Sequence, residues 1–304
     1  MVKKINCIYN LFFKIYNDIK KKGFVMRFIY ACDIHGDDKK YNKLLEVCKK
    51  EKINNLVLGG DLILKKCDRE KEQPIYLKNK LEPFFHRLKE NNINCICILG
   101  NDDLELLDEE YNNICNNYSN VYNVDNKVKI VEDICFIGCG KVLDGPWNRK
   151  SRIVIEKESP MQKKVCEYVK VDKCTREITA KEWENYRLKC ETMEHALEQL
   201  PKNNNNFKTI YILHDPPFGI GLDVCFNNFE AGSKTITRFI KDSNVYMSLH
   251  GHIHESYNMS GKWMAKLGNT ICIQPGQTEL NDKELILVYV DTDNNYFERK
   301  KYDV

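Results

Sequence analysis

The chain is predicted to be a mixed α/β (α+β) protein with a parallel first half and a mixed or antiparallel second half. Three observations carry that reading. Short apolar runs at Phe28–Ala31, Leu56–Leu58 and Cys95–Leu99 alternate with helix-length segments, the rhythm of parallel β-α-β units. From Val128 the texture changes: Val128–Val131 and Ile134–Ile137 are separated only by Glu132 and Asp133, which is hairpin spacing. Finally, five apolar runs end abruptly in Asp, Asn or His, most beside a Gly.

The elements follow in order. Phe28–Ala31 has the length of a buried parallel strand and runs into Asp33-Ile34-His35-Gly36-Asp37. Asp37 or Asp38 can cap the helix that follows, about Asp38 to Glu51, with Leu44, Leu45 and Val47 on its inner side. Leu56–Leu58 leads into Gly59-Gly60-Asp61, a helix is expected from about Ile75 to Asn91, and Cys95–Leu99 ends in Gly100-Asn101-Asp102-Asp103. Gly138 to Trp147 reads as a Gly/Pro-punctuated loop, and residues 150–176 are charged and without a clear period. Thr179-Ala180-Lys181-Glu182 fits a capping box. The helix it opens carries Trp183, Tyr186, Cys190, Met193, Leu197 and Leu200 as a core-facing stripe. Thr209–Leu213 ends at His214-Asp215. A helix from about Ser233 to Lys241 precedes Val245–Leu249, which ends at His250-Gly251-His252-Ile253-His254. Closing strands are expected at Thr270–Ile273 and Leu285–Val290.

Bulk composition narrows the function classes. The chain has 304 residues, 42% hydrophobic and 30% charged, with a net charge of only +3. That is ordinary globular composition, without the basic surplus or aromatic-interleaved stripe of a nucleic-acid binder. No apolar run approaches transmembrane length. The 14 Cys contain no CxxC pair and read as buried free thiols of a reducing, cytoplasmic compartment. Residues 1–25 place Ile5, Ile8, Phe12, Ile15 and Ile19 at helical spacing among lysines. They are expected to form a basic amphipathic extension, either packed on the domain or in weak contact with a membrane surface. Residues 26–304 are read as one domain with an insertion or lid at about 145–202. The oligomeric state is not legible.

The loaded strand ends are the functional signal. In order they carry Asp33 and His35, Asp61, Asn101, His214, and His252 with His254. The carboxyl ends of strands are where open α/β sheets place ligands. Jointly these residues offer carboxylate and amide oxygens and four imidazoles, enough for two divalent metals of the Mn, Fe, Zn or Ni type.

The segments D33-x-H35, G60-D61, G100-N101-D102-D103, H214 and G251-H252-x-H254 resemble the calcineurin-like metallophosphoesterase superfamily. The likeness spans about Phe28 to Val290. H214-D-P-P-F-G, G232-S233-K234, H250-G-H-I-H-E255 and Q274-P275-G276 are similar to its small Icc-like phosphoesterases. The resemblance implies two face-packed mixed β-sheets flanked by helices, a four-layer sandwich. It implies one metal held by Asp33, His35, Asp61 and His254, a second by Asp61, Asn101, His214 and His252, and Asp61 bridging them. It also implies attack on a phosphate ester by a bridging hydroxide in line with the leaving oxygen, between metals about 3.5–4 Å apart. The sequence departs from the family pattern once. Many members carry a His after the Asn, thought to protonate the leaving group, and Asp102 stands there instead. Beside two cations a carboxylate is a poor proton donor; Asp102 either meets a metal or a water, or caps the local turn with Asp103.

Asp61, Asn101, Asp102 and His250 are therefore the candidate catalytic residues, although His250 follows the strand phase and also fits a buried role behind the ligands. Asp215 and Glu255 are candidate acceptors for ligand imidazoles. Trp147, Arg149, Lys150 and Arg152 are candidates for a lid or phosphate-facing rim, as are Lys65, Lys66 and Arg69, with a solvated surface as the alternative. His86 and His195 are read as structural. The expected function is hydrolysis of a small phosphate ester, a diester before a monoester. The alternative is a non-catalytic metal-binding scaffold, for which the stripe from Thr179 to Leu200 would be the docking face.

Overall fold

The computed structural model describes residues 26–145, 149–156, 166–171, 174–203, 207–277 and 283–304. The expected amphipathic extension at residues 1–25 lies outside them, as do Trp147 and the side chain of Arg149.

In chain order the strands are β1 (Arg27–Ala31), β2 (Asn55–Gly59), β3 (Asn94–Ile98), β4 (Val121–Asn123), β5 (Val128–Val131), β6 (Ile134–Cys139), β7 (Val142–Leu143), β8 (Arg149–Lys150) and β9 (Ile153–Val154). They continue with β10 (Cys166–Val171), β11 (Cys174–Thr179), β12 (Lys208–Leu213), β13 (Met247–Leu249), β14 (Met264–Leu267), β15 (Thr270–Ile273), β16 (Glu284–Asp291) and β17 (Tyr296–Asp303). Two six-stranded sheets dominate, ordered β17-β16-β1-β2-β3-β4 and β14-β15-β13-β12-β6-β5. In the first, β1 to β4 are parallel, and β16 and β17 add antiparallel edges. In the second, β6, β12, β13 and β15 are parallel, and β5 and β14 are antiparallel. The second sheet is thus mixed, and β5–β6 is the hairpin that the Glu132-Asp133 spacing predicts.

The alternation of each strand decides the layers. Phe28 and Tyr30 of β1, Val57 of β2 and Ile96 of β3 point inward, where they meet Phe136, Ile210, Ile212, Met247 and Leu249 of the second sheet. The opposite phase, Ile29, Leu56, Cys95 and Cys97, packs on Leu44, Phe84, Phe85, Leu88 and Tyr111 of the flanking helices. On the far side, Ile137, Tyr211 and Leu213 pack against Leu197, Ile236 and Ile240. Helices, sheet, sheet, helices: this is the four-layer sandwich the resemblance implies.

Four local expectations are corrected. The helix expected from Ile75 starts at Arg69 and runs through Pro74, followed by a π-helical stretch at Leu77–Leu81 before Glu82–Glu90. A proline removes one ladder bond and loosens the turn. Buried Gln73 holds the early turn in place by donating to the carbonyls of Leu64 and Asp102. The Gly138–Trp147 loop contains strand: Gly138 belongs to β6, and Val142–Leu143 pairs with β9. Within 150–176, β10 and β11 pair antiparallel and β8 joins them. The single helix expected from Thr179 is two, Ala180–Arg187 and Met193–Glu198. Its capping box is present, but Thr192 caps a second start. The stripe divides because its halves bury against different cores: Trp183 joins Val169 and Ile178, while Met193, Leu197 and Leu200 join the outer face of the second sheet.

Candidate metal centre

The parallel strands point their carboxyl ends at one rim. β1, β2 and β3 are neighbours in one sheet, and β12 and β13 are neighbours in the other, so five exits converge between the sheets. Backbone bonds continue the pairing past the strands: Asp33 and His35 N–H groups donate to Gly60 and Asp61 carbonyls, and Gly251 N–H donates to His214. At the rim the chain turns sharply. Asp33, His35, Asp61 and His252 all adopt left-handed backbone conformations, with φ of 55, 52, 53 and 68°. A non-glycine residue held there costs about 1–3 kcal/mol and is characteristic of functional sites. Gly100 is required by close approach: a Cβ there would lie 2.5 Å from the Asp61 nitrogen and 2.6 Å from His214 Nε2.

Asp33, His35, Asp61 and His254 bring one ligand atom each to within 4.8 Å of one another. The Nε2 atoms of His35 and His254 face each other at 3.0 Å. His254 Nε2 is 3.4 Å from Asp33 Oδ1. Asp61 stands between two groups, its Oδ2 being 3.9 Å from His35 Nε2 and 3.4 Å from His214 Nε2. Its Oδ1 accepts the Asp102 backbone N–H at 2.8 Å. The rings of His214 and His252 are 5.5 Å apart. His214 is fixed from behind by Nδ1 donating to the Gly59 carbonyl at 2.8 Å, which turns Nε2 to the cleft.

The donor set fits divalent cations. Asp33 Oδ2, His35 Nδ1, Asn101 Oδ1 and His214 Nε2 are buried and make no hydrogen bond among the described residues. Orphaned polar atoms of this kind are costly unless something coordinates them. The electrostatics agree. Burial, with the His254 charge, pushes the His35 imidazolium down to about 4. Burial, with His214, pushes His252 down to about 3. Both are neutral imidazoles, ready to ligate. Burial also disfavours charge on His214, but the Asp61 and Asp33 carboxylates outweigh it and hold this imidazolium up to about 10. Burial opposes ionisation of Asp33 and Asp61, yet His254 and His214 respectively keep each below the usual carboxylate range.

His250 is not in this group. It is fully buried; Nδ1 lies 2.9 and 3.0 Å from the Leu213 and Asp215 carbonyls, and Nε2 lies 2.8 Å from Ser248 Oγ. Both ring nitrogens are engaged, so its candidacy as a catalytic group is withdrawn in favour of the buried role. Among the described residues the Asp215 and Glu255 carboxylates accept the N–H groups of Leu143 and Phe226. For His214 a backbone carbonyl, that of Gly59, holds the imidazole instead. Lys150 is buried on Asp144, and buried Arg152 binds the carbonyls of Gly100 and Asp103, so neither forms a rim. Lys65 and Arg69 do face the cleft. Arg69 pairs with Asp102 at 2.8 Å and Lys65 reaches it at 3.4 Å. His86 and His195 lie on helix surfaces beside Glu90 and Glu191.

Sequence reasoning missed the residues that hold the ligand loops. Asp103 accepts the backbone N–H groups of Leu62, Ile63 and Gly100, tying the Asp61 loop to the Asn101 loop. Gln274 donates to the Gly251 and Ile253 carbonyls, and Tyr30 donates to that of His250. Only Gln274 and Asp103 had a signal, as members of the quoted Q-P-G and G-N-D-D segments.

Asp61, Asn101, His252 and His254 open onto a cavity of about 760 Å³, whose other walls include Leu143, Phe218, Phe229 and Ile253. A two-sheet sandwich with acids, an amide and imidazoles converging on such a cleft is suited to metal-assisted chemistry on a bound ligand. Comparison with known proteins makes the class specific. The family model described as calcineurin-like phosphoesterase matches residues 26–256. The chain belongs to that family. It is a hydrolase acting on phosphoester bonds, of a family that uses two divalent metals. An uncharacterized protein of Methanocaldococcus jannaschii, MJ1162, is 26% identical over 208 residues, covering 66% of this chain and 73% of its own. Among solved structures, TT1561 of Thermus thermophilus superposes with a TM-score of 0.56 at 18% identity, covering 91% of this chain and 98% of that one. A dimetal phosphatase from Danio rerio gives 0.54 at 12%, covering 92% and 96%. At such identities both share the fold. No helix among the described residues is long and apolar enough to cross a membrane.

Proposed function

We propose that the chain hydrolyses a small phosphodiester at this centre. Asp33, His35, Asp61 and His254 would hold one ion, and Asp61, Asn101, His214 and His252 the other. The carrying observation is the four buried ligand atoms, without a hydrogen bond among the described residues, that arrive at one cleft from the ends of β1, β3 and β12. Divalent ions bound there supply Lewis acidity to the phosphoryl oxygens and lower the pKa of water. Asp61 spans both ligand groups and fixes their relation. Asn101 offers its oxygen as ligand and its amide nitrogen as donor to a phosphate oxygen. Attack in line with the leaving oxygen is the geometry such a clamp favours. The diester preference is supported by Asp102, a salt-bridged carboxylate that accepts but does not donate. A monoester's loose transition state places more charge on the leaving oxygen, so it relies more on a proton donor.

The test is metal analysis with hydrolysis of p-nitrophenyl phosphate and bis(p-nitrophenyl) phosphate, in Mn, Fe, Zn or Ni. Two ions per chain and faster diester cleavage are expected, with Asp61→Asn lowering turnover by about 100-fold or more. Undiminished hydrolysis in Asp61→Asn would remove the two-metal mechanism. Full loading with no hydrolysis would favour the scaffold.

A further inference from the structure

The leaving oxygen of a phosphate ester gains negative charge as its bond to phosphorus breaks, and a cation or proton donor there accounts for much of a phosphoesterase's rate. Asp102 cannot serve, being a carboxylate. Three cationic side chains line the cleft among the described residues: Lys65, Arg69 and Lys234. Arg69 is committed to structure, donating to the Lys65 carbonyl, the Asp102 carbonyl and Asp102 Oδ1. Lys234 opens the helix Lys234–Ser243 and lies 5.4 Å from the centre of the Phe218 ring. Lys65 is at the metal end. Its Nζ is 3.4 Å from Asp102 Oδ2, and that oxygen is 3.9 Å from His35 Nδ1. Its side chain is 30% exposed where Asp102 and Arg69 are 10% and 11%, so it opens to the cavity while they stay behind it.

We propose that Lys65 is the cation that meets the leaving oxygen, and that Asp102 positions it. The inference rests on the phosphoesterase reading above. In the step it assists, a water that has given up one proton to solvent bonds through its oxygen to phosphorus, and the phosphorus–leaving-oxygen bond breaks. The electron pair stays on the leaving oxygen, which takes its proton from solvent. Lys65 keeps its own proton and neutralises the charge. Arg69 acts through Asp102, holding the carboxylate on the side that aims the ammonium group into the cleft.

The experiment compares Lys65→Met, Lys65→Arg and Asp102→Asn with the wild type on diesters of graded leaving-group pKa, from p-nitrophenol to simple alcohols. For Lys65→Met the expected loss in kcat is under about 5-fold with p-nitrophenol and about 100-fold or more with an alkyl leaving group, at unchanged metal content. Lys65→Arg should recover most of the alkyl activity. Asp102→Asn should show the same leaving-group trend at smaller size, which a merely structural role would not produce. A second arm titrates orthophosphate into the metal-loaded proteins, where Lys65→Met should bind about tenfold more weakly. Equal loss on every leaving group, or unchanged kinetics, would overturn the assignment of Lys65. A wild type that loads metal and cleaves none of the esters would overturn the phosphoesterase reading instead.

Discussion

Removing the Asp103 carboxylate should both destabilise the fold and loosen the metal centre. Asp103 is buried, and its two oxygens accept three backbone amides: Leu62 at 3.1 Å, Ile63 at 2.7 Å and Gly100 at 2.8 Å. An unsatisfied buried donor costs about 1–3 kcal/mol. Three such donors, partly rescued by water entering the hole, put Asp103→Ala at about 3–5 kcal/mol, a large part of a typical stability of about 5–15 kcal/mol. Asp103→Asn keeps one acceptor oxygen. If that oxygen takes the Oδ2 place it retains the bonds to Leu62 and Gly100 and loses Ile63, for about 1–3 kcal/mol. Asp102→Ala, one residue away, satisfies no amide through its side chain but removes the buried partner of Arg69, which keeps its bonds to the Lys65 and Asp102 carbonyls; it should cost less, about 1–3 kcal/mol. Urea denaturation of the metal-free proteins measures all three, and metal analysis reads the second effect, a fall in bound metal for Asp103→Ala. The reasoning fails if Asp103→Ala is as stable as Asp102→Ala, or if it is destabilised yet binds metal as tightly as the wild type.

Two further outcomes follow from the same geometry. Gly100→Ala drives a methyl group into Asp61 and the His214 ring; turnover should fall about 100-fold with a loss of metal, and an active, fully loaded Gly100→Ala protein would show that the loop gives way freely. The second concerns pH. In the metal-free protein the His214 imidazolium is raised from 6.5 to about 10 by Asp61 and Asp33 against burial. Its contribution to stability is complete below about pH 6.5 and is lost as pH rises towards 10. A metal takes the place of that proton. Urea midpoints should therefore decline over that range with a chelator present and stay level with metal bound; parallel profiles would refute the ligand role of His214.

Much of the fold was legible because its signals are local. The apolar runs that became β2 and β3 are bounded by Asn and Gly, those that became β1 and β12 run into Cys32-Asp33 and His214-Asp215, and the Thr179 and Ser233 caps sit where their side-chain chemistry requires. The runs from Gly138 to Thr179 were not legible. Their strands are two to six residues long, and β7, β8 and β9 have only two residues each, too few for an alternation of apolar and polar positions to show. The helix from Arg69 was missed because Pro74 argues against it locally, while Gln73, bonded to Leu64 and Asp102, argues for it through tertiary contacts. At the site, residue types at strand ends pointed to Asp33, His35, Asp61, Asn101, His214, His252 and His254. Type alone also pointed to His250, Asp215 and Glu255, whose directions only packing fixed.

The sequence by itself determined which side chains sit at the exits of the parallel strands, because a strand of fixed period delivers its next residue to the rim whatever surrounds it. Only the tertiary structure decided that those exits face one another. Two sheets had to pack on Phe28, Tyr30, Phe136 and Ile212 before the rim of β1 to β3 met that of β12 and β13. The left-handed turns at Asp33, His35, Asp61 and His252 cost conformational energy even for Asp and His, which tolerate them better than most residues, and they are sustained by bonds such as His214 to Gly59 and Asp103 to three amides. Ligand identity is a property of the chain, and ligand convergence is a property of the core that forces the loops together.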